Sequence, residues 1–148
     1  MMIKIISVGK IKNKELIKLI EKYEKMIPRK IEKIEIKDQP TIDKINIEGD
    51  KILKQIKRED FVVTLEIEGN NLSSEEFADF IKNYEINKEK HLVFIIGGSF
   101  GLDMQVKKRS NYQISFSKMT FPHQLMQLIL MEQIYRAYMI NINHPYHK

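Results

Sequence analysis

This 148-residue sequence predicts an α/β architecture in three layers, with helices on both faces of a mainly parallel sheet. Three observations carry that reading. The runs Phe61-Val62-Val63-Thr64-Leu65 and Leu92-Val93-Phe94-Ile95-Ile96 are almost continuously apolar, as strands are when both of their faces are covered. Segments with apolar residues at helical spacing alternate with the strand-like runs. No internal repeat, linker or low-complexity tail divides the chain, so residues 1–148 are read as a single domain with one core.

The elements follow in order. Ile3 to Val8 reads as a short buried strand closed by Gly9. Between Lys14 and Met26, Leu16, Ile17, Leu19, Ile20 and Tyr23 recur at helical spacing, lysines fill the other face, and Pro28 stops the pattern. Ile34 and Ile36 alternate with charges, which suits a half-buried strand before the turn Asp38-Gln39-Pro40. Asn46 to Arg58 is a weaker helix, interrupted by Gly49. Ser73 and Glu76 have the spacing of a capping box opening a helix to about Asn83. After the second apolar run come a glycine-rich loop, a short basic helix, a strand near Tyr112 to Phe116 and a long helix from about Pro122 to Met139. Pro122 suits the first position of that helix, with Thr120 or Phe121 as its cap.

Apolar residues cover most of the circumference of the last helix: Leu125, Met126, Leu128, Ile129, Leu130, Met131, Ile134, Tyr135, Tyr138 and Met139. One sheet covers only one side of such a helix, so self-association through it is expected; a central helix wrapped by its own chain is the alternative.

Composition narrows the function. Without cysteine there are no disulfides, thiolate metal sites or cysteine nucleophiles. No apolar stretch reaches the roughly 18 residues of a membrane span, and the start Met1-Met2-Ile3-Lys4 lacks the pattern of a secretion signal, so a soluble cytoplasmic protein is expected. The net charge of +5 permits attraction to phosphate backbones, although a general lean toward lysine would give the same excess. The positive residues cluster from Lys4 to Lys37 and again at Lys107-Lys108-Arg109, which favours a nucleic-acid partner.

Three segments carry potential chemistry. Gly97-Gly98-Ser99-Phe100-Gly101 follows a buried strand, where missing side chains let backbone amides approach a ligand; a plain strand-to-helix turn would look the same. Its spacing is not that of a dinucleotide fingerprint, which disfavours a nicotinamide cofactor. Phe116-Ser117-Lys118-Met119-Thr120-Phe121-Pro122-His123 is a strand exit turning into the last helix. The tail Asn143-His144-Pro145-Tyr146-His147-Lys148 is polar and aromatic where chain ends usually fray. Two histidines without a nearby carboxylate or thiolate do not make a metal site, so no metal is expected.

The combination Ile96-Gly97-Gly98-Ser99-Phe100-Gly101-Leu102, Thr120-Phe121-Pro122-His123, Glu132, Tyr135-Arg136-Ala137 and Pro145-Tyr146-His147-Lys148 resembles the ribosomal RNA large subunit methyltransferase H family. Ile5-Ile6-Ser7-Val8-Gly9-Lys10 and Thr64-Leu65-Glu66-Ile67-Glu68-Gly69 extend the resemblance over nearly the whole chain. It implies the SPOUT fold with a C-terminal trefoil knot, a homodimer, and S-adenosylmethionine-dependent methylation of N3 of a pseudouridine in 23S ribosomal RNA within the assembled ribosome. By the same resemblance Leu65, Gly97, Gly98, Phe116, Ser117, Lys118, Met119, Thr120 and Phe121 form the cofactor site.

Methylation at N3 requires loss of the imide proton, so an acceptor is needed beside the base. The catalytic candidates are His123, Glu132, His144, Tyr146 and His147, with Arg136 and Lys148 to hold phosphate or developing charge. The tail is expected to fold over a cofactor pocket, its own or a partner's. Plainer roles compete: His123 as a capping or packing residue, Glu132 and Arg136 as an intrahelical ion pair, and Tyr146 to Lys148 as a frayed end. The competing function is a non-catalytic ribosome- or RNA-binding protein.

Overall fold

Parallel pairing organises every strand of the chain's sheet. The computed structural model describes residues 1–87 and 90–148. Strands β1 (Ile3–Val8), β2 (Ile31–Ile36), β3 (Phe61–Asn71), β4 (Leu92–Ile96) and β5 (Tyr112–Ser115) form one sheet in the order β2-β1-β4-β3-β5, and each neighbouring pair is parallel. The helices are α1 (Lys14–Met26), α2 (Ile45–Leu53), α3 (Ser74–Asn87), α4 (Met104–Arg109) and α5 (His123–Asn141). Helices α1, α3 and α5 pack on one face and α2 and α4 on the other, giving the three layers expected.

Alternation along the central strands divides the core in two. Ile3 and Ile5 of β1 and Phe94 of β4 meet Ile20, Ile81, Leu130 and Ile134 on the first face. Ile6, Val8, Val93 and Ile95 meet Ile52, Leu102 and Val106 on the second. A strand buried on both sides cannot alternate polar and apolar residues, which is why β4 is apolar throughout.

Local signals set several boundaries. The Asn13 side chain accepts the Leu16 N–H at 3.0 Å and starts α1 where the apolar spacing begins. Ser73 and Glu76 close their capping box with two 3.0 Å bonds, and α3 then runs four residues past the expected end. Helix α2 stops at Leu53, short of Arg58; the ammonium of buried Lys4 donates to the Gln55 carbonyl at 2.9 Å, just past the helix end. Pro122 is the residue before α5 rather than its first, and neither Thr120 nor Phe121 caps it: the Pro122 backbone is still extended, and its carbonyl accepts the Met126 N–H.

Helix α5 lies over the sheet between α1 and α3, so its own chain covers much of the apolar circumference. Leu130, Met131 and Ile134 are completely buried, whereas Leu125 stays exposed near the start. Leu130→Ala is expected to destabilise the fold by about 3 kcal/mol, from lost transfer energy plus the cavity left behind. A urea midpoint that did not move would show that the helix repacks. Beyond Leu130, the α5 residue Tyr138 donates to Glu85 of α3, which also takes Arg29 Nε at 2.8 Å. Burial first, and then the bond to Glu85, push the Tyr138 phenol well above its usual range, so it remains a donor.

Candidate active site

Strands β3 and β4 run together as far as the pair Leu65 and Ile96. Beyond it their connections part: β3 leads to α3 on one face of the sheet and β4 leads to α4 on the other. Adjacent strands that diverge to opposite faces leave a crevice at their carboxyl ends, where ligands of open α/β sheets bind. A cleft of about 820 Å³ opens there, with the segment after β5 as its third wall. That volume falls within the range of roughly 300–1,000 Å³ that small-molecule sites occupy.

The glycine loop is shaped by what cannot fit. Gly101, at φ +76°, donates its N–H to the Gly98 carbonyl at 3.0 Å and closes a tight turn. A Cβ on Gly97 would lie 2.7 Å from the Gly101 carbonyl oxygen, and one on Gly98 would lie 2.9 Å from Cγ1 of Val8. Both glycines therefore bring bare backbone to the cleft. Phe100 sits at the turn tip, exposed and off the cleft wall.

The segment after β5 is held by its own hydrogen bonds. The Ser115 hydroxyl donates to the Ser117 carbonyl, and the Ser117 hydroxyl accepts the Met119 N–H, each at 3.0 Å. Phe116 anchors the start of the segment by packing edge-on to Phe77 of α3 at 6.4 Å. Of the cofactor-site residues expected from the sequence, Leu65, Gly97, Gly98, Phe116, Ser117, Met119, Thr120 and Phe121 line the cleft; Lys118 alone points elsewhere.

Charged residues that the sequence reading left out also line it. The β3–β5 register breaks between Leu65 and Asn70, so Glu66 to Gly69 bulge out of the ladder. Gly69 passes so close to β5 that a Cβ would lie 2.8 Å from the Ile114 carbonyl carbon. The bulge puts Glu66 and Glu68 on the cleft wall. Glu66 accepts the Thr64 hydroxyl at 2.6 Å and faces the ammonium of Lys107 at 3.7 Å. The only signal for this in sequence was acid alternating with apolar residues past Leu65, which also reads as an exposed strand end.

Among the catalytic candidates, His123 alone lines the cleft. It is the first residue of α5, and its Nε2 is 2.6 Å from where a Cβ on Gly9 would sit. Gly9, at φ +95°, thus leaves room for the ring.

The remaining candidates gather away from the cleft, on the surface of α5 beside α3. Arg136 donates to Glu132 at 2.6 Å, the ion pair their spacing allowed, and the Tyr146 hydroxyl donates to the same oxygen at 2.9 Å. His147 bridges Arg136 at 3.1 Å and Glu75 at 2.7 Å, and that imidazole holds the Glu75 carboxyl below the usual carboxylate range. The tail is therefore pinned rather than frayed, and it lies on its own helix rather than over its own cleft. Burial first, then bonds to Tyr23 and Glu132, raise the Tyr146 phenol far above its usual range, which makes it a donor and a poor base. His144 accepts the Tyr146 N–H at 3.1 Å, and Lys148 is exposed.

The basic clusters also resolve into separate roles. Arg109 donates to the carbonyls of Lys57 and Asp60, both at 3.0 Å, and so braces the turn before β3. Lys4 is buried and Lys107 faces Glu66, which leaves Lys108 as the outward-facing member of its run. Among the described residues, no group of three or more His, Cys, Asp or Glu side chains is placed to hold a metal, and no helix is long and apolar enough to cross a membrane.

Comparison with known proteins identifies the architecture. The sequence model of the family described as "Predicted SPOUT methyltransferase" matches residues 1–147. The chain belongs to the SPOUT methyltransferase family. Its relatives include proteins named ribosomal RNA large subunit methyltransferase H. The one from Acholeplasma laidlawii is 53% identical over 148 residues, with both chains fully covered. Those from Clostridium botulinum strain Hall and Streptococcus agalactiae serotype III are 46% and 47% identical over 159 positions, again with full coverage of both chains. The resemblance read from the C-terminal motifs is thus borne out; in this SPOUT chain the 96–102 and 120–123 motifs meet at the cleft, whereas Glu132, Arg136 and the tail lie apart from it.

Proposed function

We propose that the protein methylates N3 of a pseudouridine in 23S ribosomal RNA of the assembled large subunit, using S-adenosylmethionine, as a cytoplasmic homodimer. The relatives' names supply the RNA substrate class, and the cleft carries the assignment to this chain. It is large enough for a nucleoside, it is walled by bare backbone at Gly97 and Gly98, where side chains would intrude, and residues of the 116–121 segment line it as well. In the proposed SPOUT topology the 116–122 segment is threaded past the 97–102 loop as a trefoil knot, a rare exception to unthreaded connections.

The donor, when bound, supplies an electrophilic methyl group whose sulfur takes back the bonding electrons as transfer occurs. The chain's own residues do the rest. Leu65, Gly97, Gly98 and the backbone of residues 116–121 hold the nucleoside, while His123 stands on the cleft wall as the acceptor for the N3 proton. Orientation of the two reactants contributes much of the rate. The network of Glu132, Arg136, Tyr146 and His147 serves the RNA side of the site, reached from a second copy of the chain.

Two measurements test the reading together: calorimetry with S-adenosylmethionine, and mass spectrometry of 23S RNA from cells lacking the protein. Saturable donor binding and loss of one methylated pseudouridine are expected. Ribosome binding without donor affinity would make this a non-catalytic RNA-binding protein. Deleting Tyr146 to Lys148 is expected to lower turnover on ribosomes at least about tenfold through lost positioning. The fold should survive, because Leu130, Met131 and Ile134 keep α5 in the core. Unchanged turnover would remove the tail from the site.

A further inference from the structure

The charge of the cleft opposes that of the chain. The protein carries a net +5, yet the formally charged residues on the cleft wall are Glu66, Glu68 and Lys107, an excess of one negative charge. A positive exterior suits RNA, whereas a negative pocket suits a cation. Glu68 is exposed, so water and salt screen it. The Glu66 side chain is only 12% exposed, and its Lys107 partner stands at 3.7 Å, beyond a direct hydrogen bond. Thr64 fixes the carboxylate, itself completely buried and bonded also to Ser110 at 2.8 Å. Glu66 is thus an oriented carboxylate in a partly dry wall, incompletely neutralised and held in place before any ligand arrives.

We propose that Glu66 is the residue by which the cleft prefers the positively charged methyl donor over its uncharged demethylated product. The proposal rests on the reading of the cleft as a donor site. S-adenosylmethionine carries a sulfonium, an ammonium and a carboxylate, a net charge of +1. Transfer of the methyl group turns the sulfonium into a neutral thioether, and S-adenosylhomocysteine has no net charge. An anionic wall attracts the first and is indifferent to the second, so the attraction ends with the reaction and product leaves more readily. Lys107 opposes this: its ammonium competes for Glu66 and repels the donor's cationic groups.

The test is calorimetry of both ligands with the full chain and two variants. Glu66→Gln keeps the size of the side chain and an oxygen for Thr64 while removing the charge. It is expected to weaken S-adenosylmethionine binding about tenfold, as loss of one charge-assisted contact does, and to leave S-adenosylhomocysteine little changed. Lys107→Gln is expected to move the ratio the other way, favouring the donor. Equal losses for both ligands in Glu66→Gln, or none, would overturn the inference while leaving the donor site intact. If the unaltered protein bound neither ligand, the reading of the cleft would fall and the inference with it.

Discussion

His123→Ala is expected to lower kcat about a hundredfold, or roughly 2.7 kcal/mol in barrier, while donor affinity stays within a few-fold of the unaltered protein. The split follows from where the ring stands. It lies at the start of α5, in the space that a side chain on Gly9 would fill, whereas Leu65, Gly97 and Gly98, which we propose hold the nucleoside, come from the ends of β3 and β4. Among the described residues its ring nitrogens have no hydrogen-bond partner, so one is available to the imide proton. A packing histidine would behave differently, lowering the unfolding temperature when removed and leaving kcat alone. Gly9→Ala provides the second arm. Its Cβ would sit 2.6 Å from Nε2 of His123 and must displace the ring, so a similar loss of kcat is expected with His123 still present. If both variants turned over at the normal rate, the acceptor would have to come from elsewhere.

The fold was legible wherever one surface explained a residue pattern. The bounds of α1 follow from apolar spacing that faces one side, and β4 from an apolar run covered on both sides. The far end of β3 was not legible. Past Leu65 its residues leave the ladder and return at Asn70, where the Asn70 and Asn71 side chains donate to the Gln113 and Ser115 carbonyls at 3.0 and 3.1 Å. Glycine followed by two asparagines reads locally as a turn; only the neighbouring strand makes it an extension of the sheet.

The candidate site divides along the same line. Backbone walls at Gly97 and Gly98 were visible because glycine announces a close approach. Glu66 and Lys107 were not, because a charge in sequence does not reveal whether it faces water or a pocket. Lys107-Lys108-Arg109 looked like one basic patch, yet a turn of helix sends the three to a carboxylate, to solvent and to backbone carbonyls. The tail was correctly singled out as held. What holds it, Glu75 on α3 and Glu132 with Arg136 on α5, depends on helix packing that no local pattern encodes.

Gly97→Val should cost the most donor affinity, at least about a hundredfold, corresponding to 2.7 kcal/mol. The reason is that the neighbour cannot give way. At Gly98 the added atom would meet the side chain of Val8, whereas at Gly97 it would meet the Gly101 carbonyl oxygen at 2.7 Å and carbon at 2.8 Å. Backbone does not rotate aside, so the turn closed by the Gly101 N–H and the Gly98 carbonyl must open. Opening it displaces the peptide groups of Gly97, Gly98, Ser99 and Gly101, which line the cleft. Phe100→Ala is the matched control in the same turn, since Phe100 stands off the cleft wall; donor affinity is expected to remain unchanged. Because β4 is completed at Ile96, just before the substitution, circular dichroism of Gly97→Val should keep its native form. Normal donor affinity in a folded Gly97→Val protein would mean that the glycine loop is only a connection between strand and helix, and that the donor lies elsewhere.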